Sequence, residues 1–280
     1  MGLQALYDTP SWEWPQGAEE LILRVLRDNG ADKSDRLLAA EMAGDSVVVN
    51  DELADVLLSV LADGKAPDDL RSRAAISLGP ALEYADIEWD EDRGGFDDPS
   101  AVPVSEQTFR EILKTLHNTY MDAATPRHVR RRVLEAAVRA PQKWQQNVIR
   151  EAYSSGDADW KLTAVFCMRY VRGFDKEILD SLTSKNEDVH YEAVCAAGNW
   201  EIDAAWPHVA GLLNAAETGK RLLLAAVEAA AIIRPNAAPE LLYNLMDSGD
   251  EDIVAAINEA LAMTGDGWEA EDGDYEDDQW

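Results

Sequence analysis

LRSRAAISLG at residues 70–79 and VHYEAVCAAG at 189–198 share one plan: a basic residue in second place, a small residue in fifth, and an alanine-rich apolar run closing on glycine. The plan returns, without the closing glycine in most copies, as DRLLAAEMAG at 35–44, VRRRVLEAAV at 129–138, WKLTAVFCMR at 160–169, RLLLAAVEAA at 221–230 and IVAAINEALA at 253–262, and the last two have Leu222 and Val254 in the basic position. The starts lie 35, 59, 31, 29, 32 and 32 residues apart, so one interval carries an insertion and the chain holds seven copies. The fifth position reads Ala39, Ala74, Val133, Ala164, Ala193, Ala225 and Ile257. Apolar residues at i, i+3 and i+4, such as Ala193, Ala196 and Ala197, make one helix face, and small residues there let a neighbouring helix come close.

A second helical stretch precedes each copy, for example DELADVLLSVLAD at 51–63, SEQTFREILKTLHN at 105–118 and WPHVAGLLNAAE at 206–217. Asp51, Ser105 and Asp175 mark helix entries, Pro207 and Pro239 fall in first turns, and Gly30, Gly64, Gly156, Gly173 and Gly249 separate elements. No stretch alternates with period two, so no sheet is expected. Paired helices repeating every thirty-odd residues predict an all-α, right-handed solenoid of about seven hairpins, each burying its apolar face only against its neighbours. The expected organisation is a cap segment at 1–16, the repeats at 17–264, an acidic insertion at 86–103, and an acidic aromatic tail at 265–280. Trp12 and Trp14 in SWEWP are expected to cover the open end of the first repeat.

In spacing and in the phrases LRSRAAISLG and VHYEAVCAAG, the chain resembles the short bacterial HEAT repeats found in HEAT-like chromophore-lyase relatives. The resemblance implies that the second helices line a concave surface. It further implies a ladder between repeats, with acids from Asp68, Asp69, Asp157, Asp159, Asp188, Asp250 and Asp252 and bases from Arg36, Arg71, Arg130 and Lys161. It is nearly silent on activity, because unrelated functions share such folds.

Composition narrows the function. Hydrophobic residues make 46% of the 280 and charged ones 28%, the balance of a folded chain. Fifty-four acids against 25 bases give a formal charge of −29, which opposes nucleic acid and anionic membranes. No secretory signal and no apolar run of membrane-spanning length is visible, so the expected location is cytoplasmic. Two cysteines, Cys167 and Cys195, are too few for a disulfide framework or a zinc site, and their apolar surroundings predict inert buried thiols.

Charge is unevenly spread. Seven of the first thirteen residues of the insertion are acids, with Gly94, Gly95, Pro99 and Pro103 arguing against a helix there. A calcium loop through Asp90, Asp92 and Asp98 fails at Ala101, where a bidentate Glu belongs. The tail DGWEAEDGDYEDDQW at 266–280 has eight acids, no bases and three aromatics. Trp89, Asp90 and Asp92 of the loop and Trp268, Tyr275 and Trp280 of the tail are therefore candidate contacts to a basic partner. Residues 110–172 reverse the balance, at +6 against −35 for the rest. Within them Arg127, Arg130, Arg131, Arg132, Lys161 and Arg169 are candidates for an anion site in the groove; the competing reading is that they neutralise acids of the same molecule.

Nothing points to catalysis. The chain has no GxGxxG, GxxxxGK[ST], HExxH or GxSxG, and its four histidines (His117, His128, His190 and His208) are scattered, no two on one i, i+4 face. Trp144, Trp160 and Asp159 near the basic segment match alkylpurine-type DNA glycosylases in composition only. The expectation is a non-enzymatic scaffold or adaptor that binds a basic protein, with no cofactor and no metal. An inhibitor of a basic nucleic-acid-acting enzyme, or polyanion binding through residues 110–172, are the alternatives.

Overall fold

The computed structural model describes residues 2–89 and 102–264, and these are helices and connections, with no strand among them. The chain divides into two compact units, Met1–Ser154 and Ser155–Trp280. Unit 1 contains α1 (Leu3–Tyr7), α2 (Ala18–Arg27), α3 (Lys33–Met42), α4 (Asp51–Ala62), α5 (Asp68–Ser77), α6 (Gly79–Trp89), α7 (Glu106–Met121), α8 (Arg127–Ala137) and α9 (Gln145–Ser154). Unit 2 contains α10 (Ala158–Cys167), α11 (Asp175–Ser181), α12 (Glu187–Asn199), α13 (Trp206–Asn214), α14 (Lys220–Ile233), α15 (Ala238–Tyr243) and α16 (Glu251–Thr264).

The quoted phrases fall on α3, α5, α8, α10, α12, α14 and α16. In unit 1, α2 packs on α3, α4 on α5 and α7 on α8; the first helices stack as α2, α4, α7 and the second as α3, α5, α8. In unit 2, α11 packs on α12, α13 on α14 and α15 on α16, and the second-helix row runs α10, α12, α14, α16. This neighbour-only stacking is that of an α-solenoid. The small fifth-position residues, Ala39, Ala74, Val133, Ala164, Ala193, Ala225 and Ile257, are all buried, as their role at the helix contacts requires.

Local chemistry sets the helix starts. Asp32, Asn50, Ser105, Asp157 and Asn186 accept backbone N–H bonds in the first turns of α3, α4, α7, α10 and α12. Asp51 is thus the first helical residue rather than the cap. Its carboxylate instead accepts the Ser105 N–H at 2.7 Å, tying α4 to α7 across the insertion. Burial works against the Asp51 charge, but that bond and the hydroxyls of Thr108 and Ser105 hold its carboxyl below the usual range.

Two expectations need correction. The insertion does not begin as loop: α6 continues through Asp86 to Trp89, with Pro80 near its start and Ala81, Leu82 and Ala85 buried. Gly94, Gly95 and Pro99 stand further on, in the stretch 90–101 that lies outside the described residues. Stacking continues past the insertion: α4 meets α7, α5 meets α8, and α6 lies on α7 and α8. At the N-terminus, α1 buries Leu3 and Leu6 against the first hairpin, and Trp14 donates its indole N–H to the Thr9 carbonyl at 2.9 Å. Trp12 does not share in this cover; it is 77% exposed.

Candidate functional site

Ion pairs between repeats exist among the described residues, and Arg36 and Arg71 are not among their bases. Arg36 and Arg71, the repeated second-position bases, donate to the carbonyls of Leu26 (3.2 Å) and Leu61 (3.0 Å). Each closes its own hairpin by satisfying a carbonyl in the last turn of the preceding helix. The rungs come from helix starts: Lys33 to Asp69 at 2.7 Å, His128 to Asp68 at 3.6 Å, Arg221 to Asp188 at 2.6 Å, and Lys220 to Asp250 and Asp252 at 2.8 and 2.5 Å. Asp69 and Asp250 are held below the usual carboxyl range by Lys33 and Lys220 respectively. Asp157 caps α10, accepting the Asp159 and Trp160 N–H groups.

Arg127, Arg130, Arg131 and Arg132 lie on α8 of unit 1, while Lys161 and Arg169 belong to unit 2. Arg132 reaches Glu135, one turn on and buried, at 2.5 Å. Arg169 is half-buried and meets Glu192 at 3.1 Å. Elsewhere in the basic segment Arg110 pairs with Glu106, Arg139 with Glu83, and Arg172 stacks on Trp200 at 4.4 Å. Much of the segment's charge is therefore met inside the molecule. Trp89 closes α6, whereas Asp90, Asp92, Trp268, Tyr275 and Trp280 lie outside the described residues.

A cleft-bearing surface in unit 2 runs along α12, α14 and α16. Tyr191 stacks under Arg221, whose guanidinium carbon sits 3.9 Å from the ring centroid. Burial raises the Tyr191 hydroxyl, with Cys195 adding to the effect. Burial also raises Glu192 against the pull of Arg169, and raises the Cys195 thiol, which argues for an unreactive sulfur. On one side of the Tyr191–Arg221 stack, a cleft of about 810 Å³ opens between α14 and α16, floored by Leu224, Ala225, Ala256 and Ala260. On the other, a second of about 610 Å³ is lined by Glu187, His190, Leu212 and Thr218.

His190 and His208, read from sequence as scattered, are brought together: their Nε2 atoms lie 2.7 Å apart between α12 and α13. Burial lowers the pKa of both, and His208 adds to the effect on His190. They sit on different helices, α12 and α13, so only the hairpin register would have disclosed the pair. Among the described residues, no group of three or more His, Cys, Asp or Glu side chains is placed to hold a metal ion.

The arrangement defines an all-α helical-repeat protein whose hairpins resemble HEAT repeats. No protein-family model matches the chain, and no curated protein matches it. Among solved structures, human deoxyhypusine hydroxylase in complex with glycerol is similar at 17% identity, covering 94% of this chain and 89% of that one, with a TM-score of 0.40. The complex of CpcE and CpcF of phycocyanin lyase from Nostoc sp. PCC7120 is similar at 17% identity, over 93% of this chain and 98% of that one, with a TM-score of 0.46. Kap95p, whose binding induces the switch loops of RanGDP to adopt the GTP-bound conformation, is similar at 15% identity, over 95% of this chain and 42% of that one, at 0.39. The helix pairing itself defines the fold, and activity is not inferred from these likenesses. No described helix is long and apolar enough to cross a membrane.

Proposed function

We propose that the chain is a non-enzymatic binding scaffold that holds a basic protein partner. The observation that carries this is the face of α12, α14 and α16: a broad cleft with an apolar floor and carboxylate rim, on a chain of charge −29. Opposite charge speeds encounter and selects partners, while apolar contact holds them. In this reading residues 17–264 are the scaffold and 1–16 the cap. The acidic loop and tail, with Trp89, Asp90, Asp92, Trp268, Tyr275 and Trp280, extend the attraction. The intramolecular pairing of Arg132, Arg169, Arg139 and Arg110 weighs against a polyanion site in 110–172.

The test is capture on immobilised full-length protein from lysate of the native host, at low and high salt, with and without nuclease. The scaffold reading expects a basic protein, held at low salt, released at high salt and indifferent to nuclease. Retention of nucleic acid alone, lost on nuclease treatment, would overturn it. One partner held through high salt, with its own activity abolished, would replace adaptor by inhibitor.

A further inference from the structure

We propose that the cleft between α14 and α16 seats a single amphipathic helix of the partner, apolar on the buried side and carrying Lys or Arg beside it; this rests on the scaffold reading above. The two helices present matched rows. On α14, Arg221, Leu224 and Glu228 recur at helical spacing, and on α16 Asp252, Ala256, Glu259 and Met263 do the same. Both helices are 14 residues long, and Lys220 ties their starts together through Asp250 and Asp252. Glu228 and Glu259 each stand eight residues beyond their helix start, hence at one level across the cleft.

The floor is apolar because its residues are small: Ala225, Ala256 and Ala260 leave about 810 Å³ open, and Met263 at the far end is 56% exposed. Methionine at a binding surface adapts to varied apolar shapes. The cations of the cleft are already engaged, Lys220 by Asp250 and Asp252, Arg221 by Asp188 and the Tyr191 ring. Glu228 and Glu259 are exposed and make no ion pair among the described residues. The cleft thus offers uncompensated negative charge beside an apolar trough, which selects a cationic helix with an apolar stripe. Like charge argues against the chain's own tail, with its eight acids and no bases, and against a second copy of this −29 chain.

The probe is a fluorescent Leu/Lys amphipathic helix as long as α14, titrated against the full chain by anisotropy. A Leu/Glu counterpart of the same pattern serves as control. Wild type should bind the Leu/Lys helix and not the Leu/Glu one. Ala256→Trp fills the trough without changing charge, and should weaken binding about tenfold or more, a loss of about 1.4 kcal/mol. The E228Q/E259Q pair should weaken it comparably and flatten its salt dependence. Unchanged helix content by circular dichroism separates these losses from misfolding. Wild-type affinity in both variants would overturn the seat while leaving the scaffold reading intact. Equal binding of the Leu/Glu helix would overturn the charge selection. Capture of a basic partner from lysate without any Leu/Lys binding would overturn the helical occupant.

Discussion

Gly44 closes the first repeated phrase, and a Cβ added there would overlap the Ser77 carbonyl oxygen and lie 2.8 Å from the Ser77 Cα. Gly198 meets the next second helix in the same way, a Cβ lying 3.0 Å from the Ala229 Cα. At Gly44 and Gly198 the terminal glycine of the phrase is therefore a point where one repeat's backbone touches the next, whereas Gly79 has ordinary van der Waals room. Gly44→Ala should lower stability by about 1–3 kcal/mol in urea unfolding, the cost of overpacking a close contact. Gly64→Ala, with nothing within 4 Å, should change it little. Arg71 is buried and donates to the Leu61 carbonyl, so Arg71→Met should cost about 1–3 kcal/mol by leaving that acceptor unpaired, again read by urea midpoint. The glycine and arginine were legible in the repeated phrase, but their partners were not. A carbonyl ten residues upstream and a serine in the next repeat have no side-chain signature. For the same reason the bases of the rungs were not marked: Lys33, His128, Lys220 and Arg221 reach neighbouring helix starts from first turns, without sharing one phrase position.

Hairpin packing joins elements that no local pattern connects, and the His190–His208 contact between α12 and α13 gives it a pH signature. Both imidazoles titrate below their ordinary 6.5 in the folded chain because burial disfavours the charged forms, and at His190 the facing His208 adds to the effect. The unfolded chain takes up protons first as pH falls, so stability contributed by the neutral pair is present above about 6.5 and declines below it. His208→Gln should flatten the unfolding free energy between about pH 6.5 and pH 5 relative to wild type. A wild-type curve that rises on acidification over that span in step with the variant would reject the account. The helices carrying the repeated phrases, and their order, were readable from periodicity and the repeat. α1 and α6 were not: α6 lies outside the repeated phrase, and its end at Asp86–Trp89 carries the same acids as the stretch beyond.

Across the whole molecule, charge and apolar surface divide the labour. A chain at −29 repels itself, so raising salt from low to physiological strength should raise its melting temperature. A fall would mean that the exposed rungs, Lys33–Asp69 and Arg221–Asp188 among them, outweigh self-repulsion. The sequence marked the charge imbalance plainly but drew attention to bases at 127–132, where Arg132 is already met by Glu135. It left unmarked the α14–α16 cleft, whose alanines look like ordinary packing residues until the helices are set side by side. The claim that this face serves a basic protein through electrostatic encounter is tested most directly by stopped-flow association between the full chain and the captured partner across ionic strength. The account predicts an association rate that falls steeply as salt rises, with E228Q/E259Q reducing both the rate at low salt and the steepness. An association rate independent of salt, in wild type and variant alike, would contradict it.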